Sequence, residues 1–504
     1  MESAARRECE EENCMEKWTH FPPTDEDGER LKTYSVFRKL MLGRHGEVYE
    51  AIKHYLPDGT GIRHLAYVAT NFAGIISKLS ADLLFGEAPM ITVEKGQEAL
   101  DEIIRENDLQ TLCHTMALSA SYRGDCVFKA RYGKARNWDG SPRPIIEAVP
   151  SAYFFPEVDP NNIMGMTEAV IAWPRQVGSE LYLRREIHQP GRIINELYRL
   201  DSENTLGAQV PLSYLEEYAG ISEYEETGFP GLLVEYIPNW RLDDCFWGIS
   251  DYFDILSLQE ELNNRITKIR RILDRHSEPK LLLPPGIMQY DERLQRWYVE
   301  KEDLEAMEVD PEQAGDLPKY LTWEAQLAAC FSEIDKLLDL LCMVTETAPV
   351  AIGIPNRDGG GAESGKALRF RLMRTLGKIS RKERFFDQGL KNILFAAQSL
   401  NAIYGSGPAP EEVAIEWKDG LPDDPQETAE VINSRVSMKT MSLRRALLWE
   451  GLRGEALEAE IEEIEEASKS ETVVPPPDQG VTVPEEDEEE GEEIADEDED
   501  EEGE

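Results

Sequence analysis

Residues 251–276 read DYFDILSLQEELNNRITKIRRILDRH, and this stretch decides the fold. Ile255, Leu258, Leu262, Ile266, Ile269 and Leu273 fall three or four positions apart, one apolar stripe on an α-helix. A second stripe runs through Leu327, Phe331, Ile334, Leu338 and Leu341. Between the two helices lies a proline-marked insert, residues 278–322. Its Lys280-Leu281-Leu282-Leu283 and Trp297-Tyr298-Val299 runs suit short strands. After the second helix come three consecutive glycines, Gly359, Gly360 and Gly361, and then a long basic helix from Lys366. Two long helices around a small module, followed by a sharply bending loop, describe a shaft with attachments rather than a catalytic pocket.

Working toward the N-terminus, residues 1–30 read as a polar arm with a local anchor from Trp18 to Pro23. Residues 31–58 read as helical. An amphipathic helix is expected from His64 to Phe85, with Val68, Phe72, Ile75, Leu79 and Leu83 on one side and Gly86 at its end. Helices follow at 97–107 and 109–122. The period then shortens to two. Strands are expected at 126–132, 145–149, 166–173 and 232–237. A hairpin is expected at 181–188 and 192–200 around Gln189-Pro190-Gly191. Residues 31–250 therefore form an α+β region, helices first and antiparallel strands after. Residues 366–403 read as one long helix, or two joined near Gly377 or Gly389, and residues 427–469 as a helical end.

Charge bounds the partners. The 504 residues carry a net charge of −46, with 99 acidic and 53 basic residues. Residues 485–504 hold 16 acids and no base, so the remainder still carries −30. Such a surface does not grip nucleic acid all over, because phosphate contacts need Lys and Arg. It does suit walls that a duplex slides past. The acidic end has no apolar face and is expected to stay disordered. Seven scattered cysteines form no CxxC pair, and seven dispersed histidines show no ligand spacing. Neither a metal nor a cofactor is expected. The sequence shows no signal peptide and no run of 18 apolar residues, so no membrane association is expected.

Two features carry candidate chemistry. Gly360 to Ala367, GGAESGKA, nearly spells a phosphate-binding loop, but Ala367 stands where the motif needs a hydroxyl. Val350-Ala351-Ile352 could pass for the strand that must precede it. This is the basis of an alternative reading, an ATPase subunit of a DNA-packaging motor. The second feature is basic. Arg371, Arg374, Lys378 and Arg381 share one helical face, and Arg265, Lys268, Arg271 and Arg275 lie on the first shaft helix. Each set suits either DNA phosphate or the acidic face of a neighbouring subunit.

Four stretches resemble the portal proteins of long-tailed, double-stranded DNA bacteriophages. They are Ser80 to Pro89, the hairpin Glu186 to Ile193, Trp247 to Asp254 running into Leu258-Gln259 and Leu262-Asn263, and Gly353-Ile354-Pro355 with Ser364 to Leu368. The resemblance covers roughly residues 30–470. It implies the portal fold: an N-terminal arm at 1–30, an α/β wing at 31–250, stem helices at 251–277 and 323–347, and a β-rich clip at 278–322. It further implies a tunnel loop at 348–365, a long helix returning through the wing at 366–426, a helical crown at 427–470 and an acidic tail at 471–504. Within the tunnel loop and its end, Arg357, Gly359, Gly360, Gly361, Ser364 and Lys366 would face the channel. The family has no catalytic activity. It forms a homo-oligomeric ring of about twelve subunits, the symmetric closure that buries such stripes. The implied partners are duplex DNA bound without sequence preference, the terminase large subunit, adaptor or head-completion proteins, the major capsid protein and scaffold. The implied place is the portal vertex of the virion capsid, after assembly in the host cytoplasm.

Overall fold

The computed structural model describes residues 18–49, 67–134, 141–201, 204–276, 280–282, 289–293, 295–298, 319–321, 327–354, 365–418, 425–449, 452 and 454–471. The chain divides into two compact units, Met1–Leu421 and Pro422–Glu504.

In the first unit, helix α1 spans Asp25–Met41. It starts inside the segment expected to be an arm, because the Thr24 side chain accepts from the Asp27 amide and three acids crowd the first turn. A short helix α2 follows at His45–Val48, and α3 at Phe72–Phe85. The expected helix from His64 is thus too long by at least five residues. The cause is long-range. Residues 67–71 run outside any helix, and distant side chains satisfy their backbone. Thr267 Oγ1 accepts from the Val68 amide at 3.1 Å, Asn263 Oδ1 from the Thr70 amide at 2.9 Å, and Gln259 Nε2 donates to the Thr70 carbonyl at 2.8 Å. Asn71 then caps α3 through the Gly74 amide. The buried face of α3 holds Phe72, Ala73, Ile76, Leu83 and Leu84, whereas Ile75 is exposed.

Helices α4 (Gln97–Glu106) and α5 (Leu109–Arg123) match their expected spans. Strand β1 is Met90–Thr92. Strands β2 (Asp125–Lys134), β3 (Pro142–Val149) and β10 (Val234–Pro238) form a three-stranded sheet in the order β10-β2-β3. Strands β4 (Phe154–Asp159), β5 (Asn162–Val177), β6 (Glu180–Gln189), β7 (Arg192–Leu200) and β8 (Leu206–Val210) lie in sequence order in a second sheet, and β9 (Tyr224–Glu226) pairs with β7. All these pairings are antiparallel. Gln189 pairs with Arg192 across a two-residue turn. Pro190 presets one backbone angle there, and Gly191 takes φ +83°, which a side chain resists.

Helix α6 (Leu256–His276) and helix α7 (Leu327–Val344) pack together, with short strands between them in sequence. There β11 (Lys280–Leu282) pairs with β14 (Lys319–Leu321), and β12 (Gln289–Asp291) with β13 (Arg296–Tyr298). Helix α8 is unbroken over 40 residues, Gly365–Tyr404, so neither glycine divides it. Its middle packs on β2 and β10 around Phe386, Leu390 and Ile393. Strand β15 (Ala414–Glu416) returns to pair with β1. The second unit contains helices α9 (Pro425–Ser437), α10 (Leu443–Trp449) and α11 (Glu455–Glu471). No described helix is long and apolar enough to cross a membrane.

Candidate functional site

The base of the paired helices joins several elements of the first unit. Tyr252, Ile255, Leu262, Leu337 and Leu341 form a core there with Phe37, Leu40, Phe72 and Ile76. Farther along, the two stripes lie open: Leu273 is 49% and Phe331 51% exposed. Within one chain the stripes are thus covered at the base and open beyond it.

A polar ladder locks α6 to this base. Gln259, Asn263 and Thr267 stand four residues apart, all buried, and bond the 68–73 backbone. Asn263 also meets His45 at 3.1 Å, and His45 meets Asn71 at 3.2 Å. Burial lowers the His45 pKa, so its imidazole serves the network in the neutral form.

Asp251 sits where the loop after β10 turns into α6. Its Oδ2 accepts from Lys382 Nζ at 2.6 Å and from Ser121 Oγ at 2.6 Å. Its Oδ1 accepts from Asn239 Nδ2 at 3.1 Å and faces Lys378 Nζ at 3.2 Å. Lys378 also donates to the Thr345 carbonyl at the end of α7, at 3.1 Å. One carboxylate thus joins α5, α6 and α8, and through Lys378 reaches α7. Burial alone would push the Asp251 carboxyl up, but the two ammonium groups and their hydrogen bonds hold it well below the usual carboxylate range. Burial pushes Lys382 down to about 8, against the pull of Asp251 and with a push from Lys378. A cavity of about 730 Å3 opens beside this cluster.

The sequence model of one family, "Phage portal protein, SPP1 Gp6-like", matches residues 24–473. The chain belongs to this family. Portal proteins are structural rather than enzymatic. No curated protein matches the chain. Among solved structures it is similar to a chain in the virion of a native gene transfer agent particle, with 12% identity, 77% of this chain and 92% of that chain covered, and a TM-score of 0.36. It is also similar to a chain in the neck of the native particle computed with C12 symmetry (12% identity, 76% and 91% covered, TM-score 0.35). A third is in the neck of the empty particle computed with C6 symmetry (12%, 77% and 91%, TM-score 0.40).

In this portal-family chain the basic residues singled out from sequence part ways. Arg265 forms ion pairs with Glu261 on its own helix and Glu333 on α7, both at 2.8 Å, so it links the two helices. Lys268 and Arg271 are exposed on α6, and Arg275 lies in α6 with its side chain outside the described residues. On α8, Arg371 and Arg374 are exposed, and Arg381 bonds Glu346. Lys378 does not belong with them. It is 8% exposed and held by Asp251 and Thr345 of its own chain, which sets it apart from the exposed members of the stripe.

Arg357, Gly359, Gly360, Gly361 and Ser364 lie outside the described residues, as do residues 472–504 of the acidic tail; Lys366 stands in the first turn of α8 with its side chain likewise undescribed. Pro349–Ile352 form a 3-10 turn, so the strand that a phosphate loop needs before it does not form at 350–352.

The sequence reading missed Lys382 and the ladder. The ladder had a signal, three amide or hydroxyl side chains at a spacing of four beside an apolar stripe. Lys382 had none beyond standing four residues after Lys378.

Proposed function

We propose that this portal-family chain closes into a ring of about twelve copies at one capsid vertex of a phage virion. The ring is the conduit for packaging and ejection of double-stranded DNA. Family membership over residues 24–473 carries this reading. The open outer ends of the paired helices support it: Leu273 and Phe331 expose apolar surface that a neighbour would cover.

In this proposal residues 31–250 are the wing and the helices within 251–277 and 323–347 are the stem. The insert 278–322 is the clip, which docks terminase and head-completion proteins. Residues 348–365 line the channel as the tunnel loop, residues 366–426 return through the wing, and residues 427–470 form the crown. Capsid protein and scaffold surround the ring. The acidic wall, −30 without the last twenty residues, repels phosphate, so duplex DNA passes without adhering.

The turn at Pro349–Ile352 weighs against the motor-ATPase alternative. Electron micrographs of the purified chain are expected to contain closed rings with a central hole, and the same preparation is expected to leave ATP intact. A monomeric preparation that hydrolyses ATP, with Lys366→Ala abolishing turnover, would reverse the choice.

A further inference from the structure

The cavity beside Asp251 holds more positive charge than its own chain balances. Three carboxylates line it, Asp251, Asp254 and Glu346, against the cations Arg241, Lys378, Arg381, Lys382 and Arg384. Lys378 and Lys382 share the single Asp251 carboxylate, and Arg381 bonds Glu346. Arg241 is half-buried and Arg384 exposed; neither has a hydrogen bond or ion pair among the described residues. With Phe385, these two arginines also wall a second cavity of about 840 Å3, so the recess continues along α8. This local excess of cations occurs in a chain of net charge −46.

The walls say what kind of anion fits. Trp240, Val344 and Phe385 supply apolar surface, and Phe253, beside the lining residue Asp254, is 67% exposed. Lys378 and Lys382 are 8% and 2% exposed, too deep for the convex backbone of a duplex. An apolar rim around a recessed cationic floor suits a side-chain carboxylate on a protein segment. A second copy of this chain, with 99 acidic residues against 53 basic ones, offers such carboxylates. The recess cannot face itself across a two-fold axis, because cation would meet cation. The contact is therefore head-to-tail, the type that closes into rings.

We propose that this recess takes a carboxylate-bearing segment of a second copy of the chain, so that the charge of the joint is balanced only across a subunit boundary. The proposal rests on the ring reading and adds to it a place and a chemistry.

The test uses the full chain and sedimentation velocity over a range of protomer concentrations. Arg241→Glu with Arg384→Glu is expected to raise the half-assembly concentration by about tenfold or more, because repulsion replaces attraction at a desolvated contact. Arg241→Lys with Arg384→Lys keeps the charge and is expected to assemble close to wild type. If the reversed chain melts lower than wild type, Arg241→Gln with Arg384→Gln replaces it, and weakened assembly is again the expected result. Rings forming at the wild-type concentration in the reversed or glutamine variant overturn the proposal. So does loss of duplex-DNA binding with assembly unchanged, which would assign the recess to DNA. A wild-type chain that stays monomeric throughout brings down the ring reading itself, and this proposal with it.

Discussion

Asp251→Ala is expected to cost about 3–5 kcal/mol of stability, the usual loss when one partner of a buried charge cluster is removed. Lys378 and Lys382 would keep their burial and lose the one carboxylate that pairs with them among the described residues. Ser121 and Asn239 would each lose one of two acceptors as well. Asp251→Asn keeps the shape and part of the bonding, so a smaller loss is expected. Adding Lys382→Met to Asp251→Ala should restore part of the loss, since it removes one stranded ammonium group. Urea unfolding followed by circular dichroism, at one fixed protomer concentration, measures all three. A cost below about 1 kcal/mol for Asp251→Ala would place the cluster among ordinary surface pairs and remove it as the joint of the paired helices.

The pH dependence of stability carries the same signature. The folded Asp251 pKa lies below the ordinary 3.8, so its contribution is full above that value and fades as pH falls toward the folded pKa. Wild type should lose stability more steeply than Asp251→Asn on acidification below pH 3.8. Lys382 acts in the other direction. Its folded pKa is about 8 against an ordinary 10.5, so between these values the unfolded chain holds more protons and this group's contribution to stability rises with pH.

Much of the fold was legible in the sequence because periodicity is a local property. The change from a period near 3.6 to a period of two marks the passage from α5 to β2, and Pro190-Gly191 marks the hairpin turn. What periodicity cannot give is the object standing opposite a face. Lys378 fell on the same stripe as Arg374 and Arg381, and all three looked alike. The difference is that Asp251, 127 positions earlier in the chain, stands against Lys378 alone of the three. Helix α3 was misjudged for a related reason. Residues 67–71 satisfy a helical pattern, but side chains of α6 take their backbone bonds instead. Helix α1 began early because its Thr24 cap and acidic first turn outweigh a weak apolar pattern. The basic recess needed the structure altogether, since its cations come from the loop after β10 and from α8.

Among the described glycines of the first unit, Gly248→Ala is expected to be the most damaging methyl addition, costing about 3 kcal/mol or more. A Cβ on Gly248 would lie 2.0 Å from the carbonyl oxygen of Gly124 and 3.0 Å from Pro238 Cβ. The obstacle is backbone, so no rotamer change relieves it. Gly124 cannot retreat. Its φ is +108°, its carbonyl accepts from the Asn239 amide at 2.7 Å, and its own added Cβ would meet the Gly248 carbonyl at 2.5 Å. The Gly248 amide is held as well, donating to the Tyr236 hydroxyl at 2.7 Å. Any relief must therefore move the loop that ends in Asp251, and so disturb the charge cluster next to Ser250, whose hydroxyl lies within hydrogen-bond distance of the Ser121 and Tyr122 carbonyls. Gly377→Ala gives the contrast. That position is inside α8 with open space where a Cβ would stand, so the substitution is expected to stabilise by about 0.5–1 kcal/mol through the unfolded chain. Thermal and urea unfolding of the two variants beside wild type decide the matter. Equal stabilities for Gly248→Ala and wild type would mean that the close approach of the two backbones does not hold the joint in place. Because the Asp251 cluster depends on that approach, Gly248→Ala should also flatten the acid-side loss of stability that marks Asp251 in wild type.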